Sequence, residues 1–334
     1  MTITPVRALV TGGAGFLGSG LVDRLIAEGH SVEVIDDLSC GSLANLADAR
    51  ASVGAMRFHQ MDVCQPACVE LVARLRPEVV FHLAAPPGEE AGFDDPVLQA
   101  EVGVVGLIRV LEGARAAGSR KIVFASSWTS YGPLEADDLP VREHLVARPR
   151  SAEGVAKRAA LDLLAGYREQ HGLEFSALAL ASVYGPRQLG ASEPGAVASL
   201  VAALVAHRPW AVGDRARTRD FLFVDDAVDA CARAAERGSG LLINVASGEE
   251  TSLEALAHEV ARVGGAPVRL AGAPARPTPS ARVALDPSRA EIHLGWRPFT
   301  PLADGLAVML DAAHAALPRL APASGPTIAG DPQR

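Results

Sequence analysis

The chain has 334 residues, 31 Lys and Arg against 39 Asp and Glu, and a formal net charge of −8. This length suits one large α/β unit with a smaller lobe. The acidic balance argues against a nucleic-acid or anionic-membrane surface, because binding to phosphates needs clustered cations.

The four cysteines are too few and too irregularly spaced for a disulfide framework, and Cys64 and Cys68 lack the second ligand pair that zinc needs. We therefore expect no bound metal and a reducing, cytoplasmic environment. The first strand-like run begins so early that no signal peptide is expected. The longest apolar helix-like stretch, residues 196–206, is too short for a membrane span and predicts a core or groove helix.

Strand-like and helix-like patterns alternate along the first 180 residues. Strands are predicted at residues 6–10, 32–35, 57–60, 79–82, 121–125 and 176–180. Helices are predicted at residues 19–27, 69–75, 97–117 and 152–171. This alternation predicts a Rossmann-type α/β fold, in which helices cover both faces of a doubly wound parallel sheet.

The pattern changes after residue 184, where proline and arginine become more frequent. We predict a dinucleotide-binding domain over residues 1–180 plus about 213–242. A smaller C-terminal α/β substrate lobe is predicted over 181–212 and 243–317. Residues 318–334 are rich in Pro, Ala, Gly and Ser without periodicity, which predicts a disordered tail.

A glycine-rich turn, TGGAGFLG at residues 11–18, joins the first predicted strand to the first predicted helix. Gly12, Gly15 and Gly18 let the backbone turn tightly and approach a pyrophosphate at the helix N-terminus. Asp36 ends the second predicted strand, near the spacing of about 20 residues at which an acid holds the adenosine ribose. Its carboxylate would accept hydrogen bonds from both ribose hydroxyls and repel a 2′-phosphate. The motif therefore predicts NAD rather than NADP.

The ordered motifs resemble the extended short-chain dehydrogenases that modify nucleotide sugars, the UDP-glucose 4-epimerase-like group. The resemblance covers residues 6–301 and rests on TGGAGFLG at 11–18, DDLS at 36–39, DV at 62–63, HLAA at 82–85, YGPRQ at 184–188, RDF at 219–221 and NVASG at 244–248. The family commonly dimerises through two helices per subunit, matched here by 97–117 and 152–171, so a homodimer is expected. The resemblance adds cofactor contacts from Phe16, Leu17, Asp37, Asp62, Val63, Leu83, Ala84, Ala85 and Lys157.

The resemblance also implies that the substrate is a nucleoside-diphosphate sugar. In the family, arginines of the second lobe hold the diphosphate, and Arg219 and Arg276 match those positions. A guanidinium fork suits phosphate oxygens. Further substrate contacts are implied for Ser127, Thr129 and Ser182.

The catalytic pattern of the family is interrupted in this chain. The family uses a Ser or Thr, a Tyr that acts as acid and base, and a Lys four residues after the Tyr. Ser127 and Lys157 match, but the position of the Tyr is occupied by Glu153. Gly103 replaces an asparagine usual in the helix after the fourth strand, and Ser182 replaces the asparagine before YGPRQ. The substrate end of the site therefore departs from the family, whereas the cofactor end does not.

Glu153 admits two interpretations. At the i, i+4 spacing, Glu153 and Lys157 would form an ordinary helix salt bridge, worth a few tenths of a kcal/mol. Alternatively, Glu153 replaces the phenol as general base. A glutamate with its ordinary pKa of about 4.3 is ionised at neutral pH, so it takes a proton more readily than it returns one. That chemistry would favour oxidation, unless Ser127, Thr129 or a water is the acid and base.

Three functions stay open. The first is an NAD-dependent epimerase that oxidises the C4 hydroxyl, lets the keto sugar rotate and returns the hydride to the opposite face. The second is a nucleoside-diphosphate-sugar ketoreductase, dehydrogenase or dehydratase of secondary metabolism; dehydratases usually carry Asp-Glu where Trp128-Thr129 stands here. The third is a binding protein for NAD and nucleotide sugars with impaired catalysis, which the intact Ser127 and Lys157 oppose.

Overall fold

The computed structural model describes residues 5–52, 54–86, 95–188, 195–274 and 280–320. The strands are β1 (Arg7–Thr11), β2 (Ser31–Asp36), β3 (Met56–Gln60), β4 (Val79–His82), β5 (Lys121–Ser127), β6 (Glu174–Leu180), β7 (Ser182–Tyr184), β8 (Trp210–Val212), β9 (Thr218–Arg219), β10 (Phe221–Phe223), β11 (Leu241–Val245), β12 (Thr251–Ser252) and β13 (Leu270–Gly272). The α-helices are α1 (Phe16–Ala27), α2 (Ala47–Ala51), α3 (Ala67–Leu75), α4 (Pro96–Ala100), α5 (Leu107–Ala117), α6 (Ala152–His171), α7 (Ala196–Val205), α8 (Val224–Ala234), α9 (Leu253–Gly264), α10 (Ser288–Leu294) and α11 (Leu302–Leu320).

A seven-stranded parallel sheet has the order β11-β6-β5-β4-β1-β2-β3. The strand order reverses beside β1, where Thr11 pairs with Ile35 on one side and with His82 on the other. Ligands of such sheets bind at the carboxyl ends of the strands next to this reversal. The predicted Rossmann-type α/β fold is confirmed, although β11 was not predicted.

Alternate residues of each strand pack against opposite layers of helices. Leu9 and Phe124 belong to a buried cluster with residues of α3 and α5. Val10 and Val123 belong to a second cluster with residues of α1 and α8. The predicted cover of helices on both faces of the sheet is therefore confirmed.

The helix predicted over residues 97–117 is not continuous. It consists of α4, a π-helical segment Glu101–Gly106 and α5. Two glycines weaken the α-helix there. They also allow close packing, because a Cβ at Gly106 would lie 2.9 Å from Val63 and one at Gly103 would lie 3.1 Å from Ala156. The π-helical segment follows α4 and packs against α6.

The C-terminal part forms small sheets, in which β7 pairs with β10, β8 with β13 and β9 with β12. Helices α7, α9 and α11 pack together beside them, and α7 is the predicted core helix. Helix α11 continues to Leu320, three residues into the segment predicted as a tail, and residues 321–334 lie outside the described residues. The predicted boundary near residue 242 falls within β11. The division into two domains stays a prediction. Across the described ranges, no helix is long and apolar enough to cross a membrane.

Candidate active site

A cleft of about 440 Å³ opens at the carboxyl ends of β1, β2 and β4. It is lined by twelve of the predicted cofactor residues: Gly12, Gly15, Phe16, Leu17, Gly18, Asp36, Asp37, Asp62, Val63, Leu83, Ala84 and Ala85. Glu101 and Val102 also line it. These two were not predicted, because only the π-helical turn brings them to the cleft. Lys157, the remaining predicted cofactor residue, lines a smaller cavity next to this one.

The glycine turn is packed too closely for side chains. Gly12 has φ +70°, and a Cβ there would lie 2.7 Å from the Ala84 nitrogen. A Cβ at Gly18 would lie 2.1 Å from the Gly12 oxygen. Gly15 caps α1 without a side-chain hydrogen bond, and the first turn carries no acidic residue. The amides at this helix N-terminus therefore suit a pyrophosphate.

The Asp36 carboxylate is held in a fixed position at the end of β2. Its Oδ2 accepts the Ala14 amide at 2.9 Å, and its Oδ1 accepts the Leu38 amide at 2.8 Å. Burial raises the pKa of Asp36, and the two amide hydrogen bonds partly oppose that shift. Each carboxylate oxygen can accept a further hydrogen bond. The position of this carboxylate is compatible with a contact to the adenosine ribose of NAD, which stays a prediction.

Ser127 ends β5 and caps the 3₁₀ turn Trp128–Tyr131. Its Oγ accepts hydrogen bonds from the Thr129 amide at 3.2 Å and from the Thr129 hydroxyl at 2.9 Å. Both oxygen lone pairs are thereby used, so the Ser127 proton points elsewhere. Ser127 is half-buried, whereas Thr129 is buried. The substrate contact predicted for Ser127 stays a prediction.

Lys157 lies one turn after Glu153 on α6. Its Nζ donates to the Ala125 carbonyl at 2.7 Å and lies 4.9 Å from the centre of the Phe124 ring. Burial lowers the pKa of Lys157, and the negative charge of Glu153 opposes this shift. Within the described residues, Lys157 forms no direct ion pair with Glu153. The structure therefore does not contain the ordinary i, i+4 salt bridge between Glu153 and Lys157.

Glu153 and Lys157 both line a cavity of about 60 Å³ beside the cofactor cleft. His82 and Gln99 contribute further polar side chains to it. Neither was predicted as a site residue. His82 belongs to the HLAA motif, of which Leu83, Ala84 and Ala85 were predicted as cofactor contacts but His82 was not. The sequence around Gln99 carries no signal.

Arg219 is the predicted diphosphate ligand that the structure describes, and its side chain is only 3% exposed. Nη1 donates to the Thr218 carbonyl at 2.7 Å and to the Ser280 carbonyl at 3.3 Å. The guanidinium lies 5.0 Å from the centre of the Trp128 ring. This stacking connects β9 to the segment that carries Ser127. Trp128 was not predicted to take part in the site.

Ser182 and Arg276 are the other two predicted substrate contacts. Ser182 lies on β7 and donates its amide to the Asp220 carbonyl at 2.9 Å, next to Arg219. Arg276 lies outside the described residues. In the described part of the chain, no group of three His, Cys, Asp or Glu side chains is placed to hold a metal ion.

The NAD dependent epimerase/dehydratase family matches residues 8–246. A UDP-glucose 4-epimerase from Mycolicibacterium smegmatis is 43% identical over 305 residues, covering 90% of this chain and 96% of that protein. Two solved UDP-glucose 4-epimerases are each 31% identical to this chain. The Thermotoga maritima structure with UDP-glucose has a TM-score of 0.86, and the Thermus thermophilus structure with NAD has a TM-score of 0.84. Each comparison covers 93% of this chain and 99% of the other. The chain therefore belongs to the NAD dependent epimerase/dehydratase family of enzymes, and its cofactor is NAD.

Proposed function

We propose that the protein is a self-recycling epimerase that inverts C4 of a nucleoside-diphosphate sugar, with Ser127, Glu153 and Lys157 as its catalytic residues. One observation carries this proposal. Glu153 lines a polar cavity together with Lys157 beside the cofactor cleft, while the Lys157 ammonium donates to the Ala125 carbonyl instead of Glu153. A carboxylate that lines this cavity beside the cofactor cleft has the chemistry of a general base.

The residues of the cofactor cleft would hold NAD, which would supply a reversible hydride acceptor for C4. In the forward step, the Glu153 carboxylate takes the proton of the C4 hydroxyl while the Ser127 hydroxyl donates a hydrogen bond to the C4 oxygen. The ionised carboxylate is the form of Glu153 that is needed as a base. After the keto sugar has turned, Glu153 returns its proton to the C4 oxygen as the hydride re-adds to the opposite face. Protons and hydrides therefore balance over one cycle.

Arg219 is the proposed ligand of the substrate diphosphate. Its guanidinium keeps a fixed plane, because Trp128 stacks on it and two backbone carbonyls accept its hydrogen bonds. A fixed guanidinium loses less rotational freedom when it binds a phosphate. Arg276 stays a predicted second ligand.

We further propose a cytoplasmic homodimer. The helices that match the family's dimer interface expose apolar side chains, with Val97 64% exposed and Val155 46% exposed. Val105, on the π-helical segment between α4 and α5, is 40% exposed. Such residues on neighbouring helices suit a helix bundle between two subunits.

The other two functions predict different results. A ketoreductase or dehydrogenase would consume its nicotinamide cofactor, whereas an epimerase or dehydratase would not. The replacement of the family's Tyr by Glu153 favours an impaired enzyme that only binds its ligands.

The test is to purify the protein with its cofactor, add UDP-glucose and other nucleotide sugars, and identify products by NMR while following the absorbance of reduced nicotinamide. We expect a C4-inverted sugar without net reduction of the cofactor. Bound NAD with no turnover of any sugar would contradict the proposal.

A further inference from the structure

The small cavity that Glu153 lines is enclosed by β4, β5, α4, the π-helical segment and α6. Its volume is about 60 Å³. Polar side chains from three elements line it: His82, Gln99, Glu153 and Lys157. Phe124 and Ala156 form apolar parts of its wall. A site with this many polar groups suits water better than an apolar ligand.

His82 is only 1% exposed, and its two ring nitrogens have different surroundings. Nδ1 lies 2.8 Å from Thr11 Oγ1, and the Ala84 amide donates to the same oxygen at 3.5 Å. We assign the Thr11 hydroxyl as the donor to Nδ1, and with this assignment the ring proton of a neutral histidine is on Nε2. Burial and the charge of Lys157 lower the pKa of His82 to about 3, so the ring is neutral at physiological pH.

Nε2 of His82 is buried and has no hydrogen-bond partner among the described residues. A buried N–H without an acceptor is costly, so an acceptor is expected next to it. His82 lines the cavity, and Nε2 is the ring nitrogen that does not contact Thr11.

Gly103 keeps side-chain atoms out of this space. A Cβ at Gly103 would lie 3.1 Å from the Ala156 Cβ, so a larger residue there would push α6 away or fill the cavity. One water needs roughly 10–15 Å³ of such volume and two to four polar partners. The cavity meets both conditions.

We propose that this cavity is a water-binding site, and that a water held there accepts the His82 Nε2–H and donates to the Glu153 carboxylate. Gln99 and Lys157 are further partners of the water. His82 is then a positioning residue that orients the carboxylate through the water. This inference rests on the proposed role of Glu153, but the water site itself does not.

The first test is a high-resolution crystal structure of the protein with NAD. We expect an ordered water within about 3.2 Å of both His82 Nε2 and a Glu153 oxygen. A cofactor atom or the Gln99 side chain in that position, or a direct hydrogen bond from Nε2 to the protein, would overturn the site. This result does not depend on turnover.

The second test uses two variants that each imitate one ring nitrogen. His82→Gln places an amide near the position of Nε2, and His82→Asn places one near Nδ1, which contacts Thr11. If the water link matters, His82→Gln retains kcat within about threefold, whereas His82→Asn lowers it about tenfold to a hundredfold. The KM for the sugar and the NAD content stay unchanged in both. Thermal unfolding verifies that both variants are folded.

The outcomes separate this inference from the proposed function. A purely structural role through Thr11 predicts the reverse order, with His82→Asn more active than His82→Gln, and would overturn the positioning role. Equal activity of His82→Asn and the wild type would do the same. A wild-type protein without turnover would contradict the proposed function, and the crystal structure would still decide the water site.

Discussion

Replacement of Glu153 by glutamine distinguishes a catalytic base from an ordinary helix residue. The substitution keeps the shape of the side chain and removes its negative charge. If Glu153 takes the C4 proton, the loss of general-base catalysis lowers kcat by about 10²- to 10⁴-fold. That loss corresponds to roughly 3 to 5 kcal/mol of transition-state stabilisation.

The structure sets a much smaller expectation for stability. The Lys157 ammonium donates to the Ala125 carbonyl at 2.7 Å, so Glu153→Gln breaks no direct ion pair with it. The longer-range charge interaction between Glu153 and Lys157 is lost, and it is of the size of an exposed i, i+4 pair at a few tenths of a kcal/mol. For a chain of this length, loss of that interaction lowers the unfolding temperature by less than about 2 °C.

The assay combines three variants with the NAD-loaded protein and its sugar substrate. Asp162→Asn is the matched control, because Asp162 pairs with Arg158 at 3.1 Å on the exposed face of the same helix. We expect this control to retain wild-type kcat. Glu153→Tyr restores the family's residue; it should abolish turnover if Glu153 performs a distinct reaction and raise it if the site is degenerate.

The decisive comparison is between Glu153→Gln and Asp162→Asn. A Glu153→Gln protein that binds NAD, unfolds at the wild-type temperature and turns over within about threefold of the wild type would refute the reasoning, because general-base catalysis contributes far more than that. A parallel loss in both variants would mean that α6 itself had been damaged.

Three further predictions follow from other contacts. Asp36→Asn should weaken NAD binding about tenfold or more and narrow the preference for NAD over NADP, measured by calorimetry on cofactor-free protein; unchanged discrimination would argue against a ribose contact. Trp128→Ala should raise the KM for the sugar nucleotide several-fold with little change in kcat, while Trp128→Phe retains the ring under Arg219 and most of the affinity; equal KM values would exclude the stacking role. Burial and the charge of Lys157 lower the pKa of His82 to about 3 in the folded protein. In the unfolded chain, His82 binds a proton near the ordinary histidine pKa of about 6.5. Stability should therefore fall as the pH drops from about 6.5 towards 3, more steeply than in His82→Gln, when unfolding is followed by denaturant titration; parallel curves would contradict this.

The sheet and the cofactor cleft could be predicted from the sequence because their signals are local. Buried parallel strands appear as short apolar runs, and the glycine turn has fixed spacing. Strand β11 was not predicted, because Leu241–Val245 lies about 60 residues after β6 in the sequence, although the two strands are neighbours in the sheet. The break in the helix over 97–117 was missed for a similar reason: Gly103 and Gly106 are explained only by their contacts with Ala156 and Val63.

The cavity beside Glu153 could not be predicted, because it depends on contacts between distant segments. His82, Gln99 and Lys157 come from β4, α4 and α6, and no sequence spacing relates them. The spacing of Glu153 and Lys157 alone predicts a salt bridge as readily as a catalytic pair. The hydrogen bond from Lys157 to the Ala125 carbonyl shows where the ammonium is held, and the catalytic role of Glu153 stays a proposal.

The central claim, transfer of the C4 hydride to the cofactor and its return to the same carbon, is tested most directly with UDP-glucose deuterated at C4. The protein is incubated with this substrate, and the product and the cofactor are analysed by NMR. We predict a C4-inverted sugar that retains deuterium at C4, with no net accumulation of reduced cofactor. Deuterium left on reduced cofactor with a keto sugar as product, or an unchanged substrate in the presence of bound NAD, would contradict the claim.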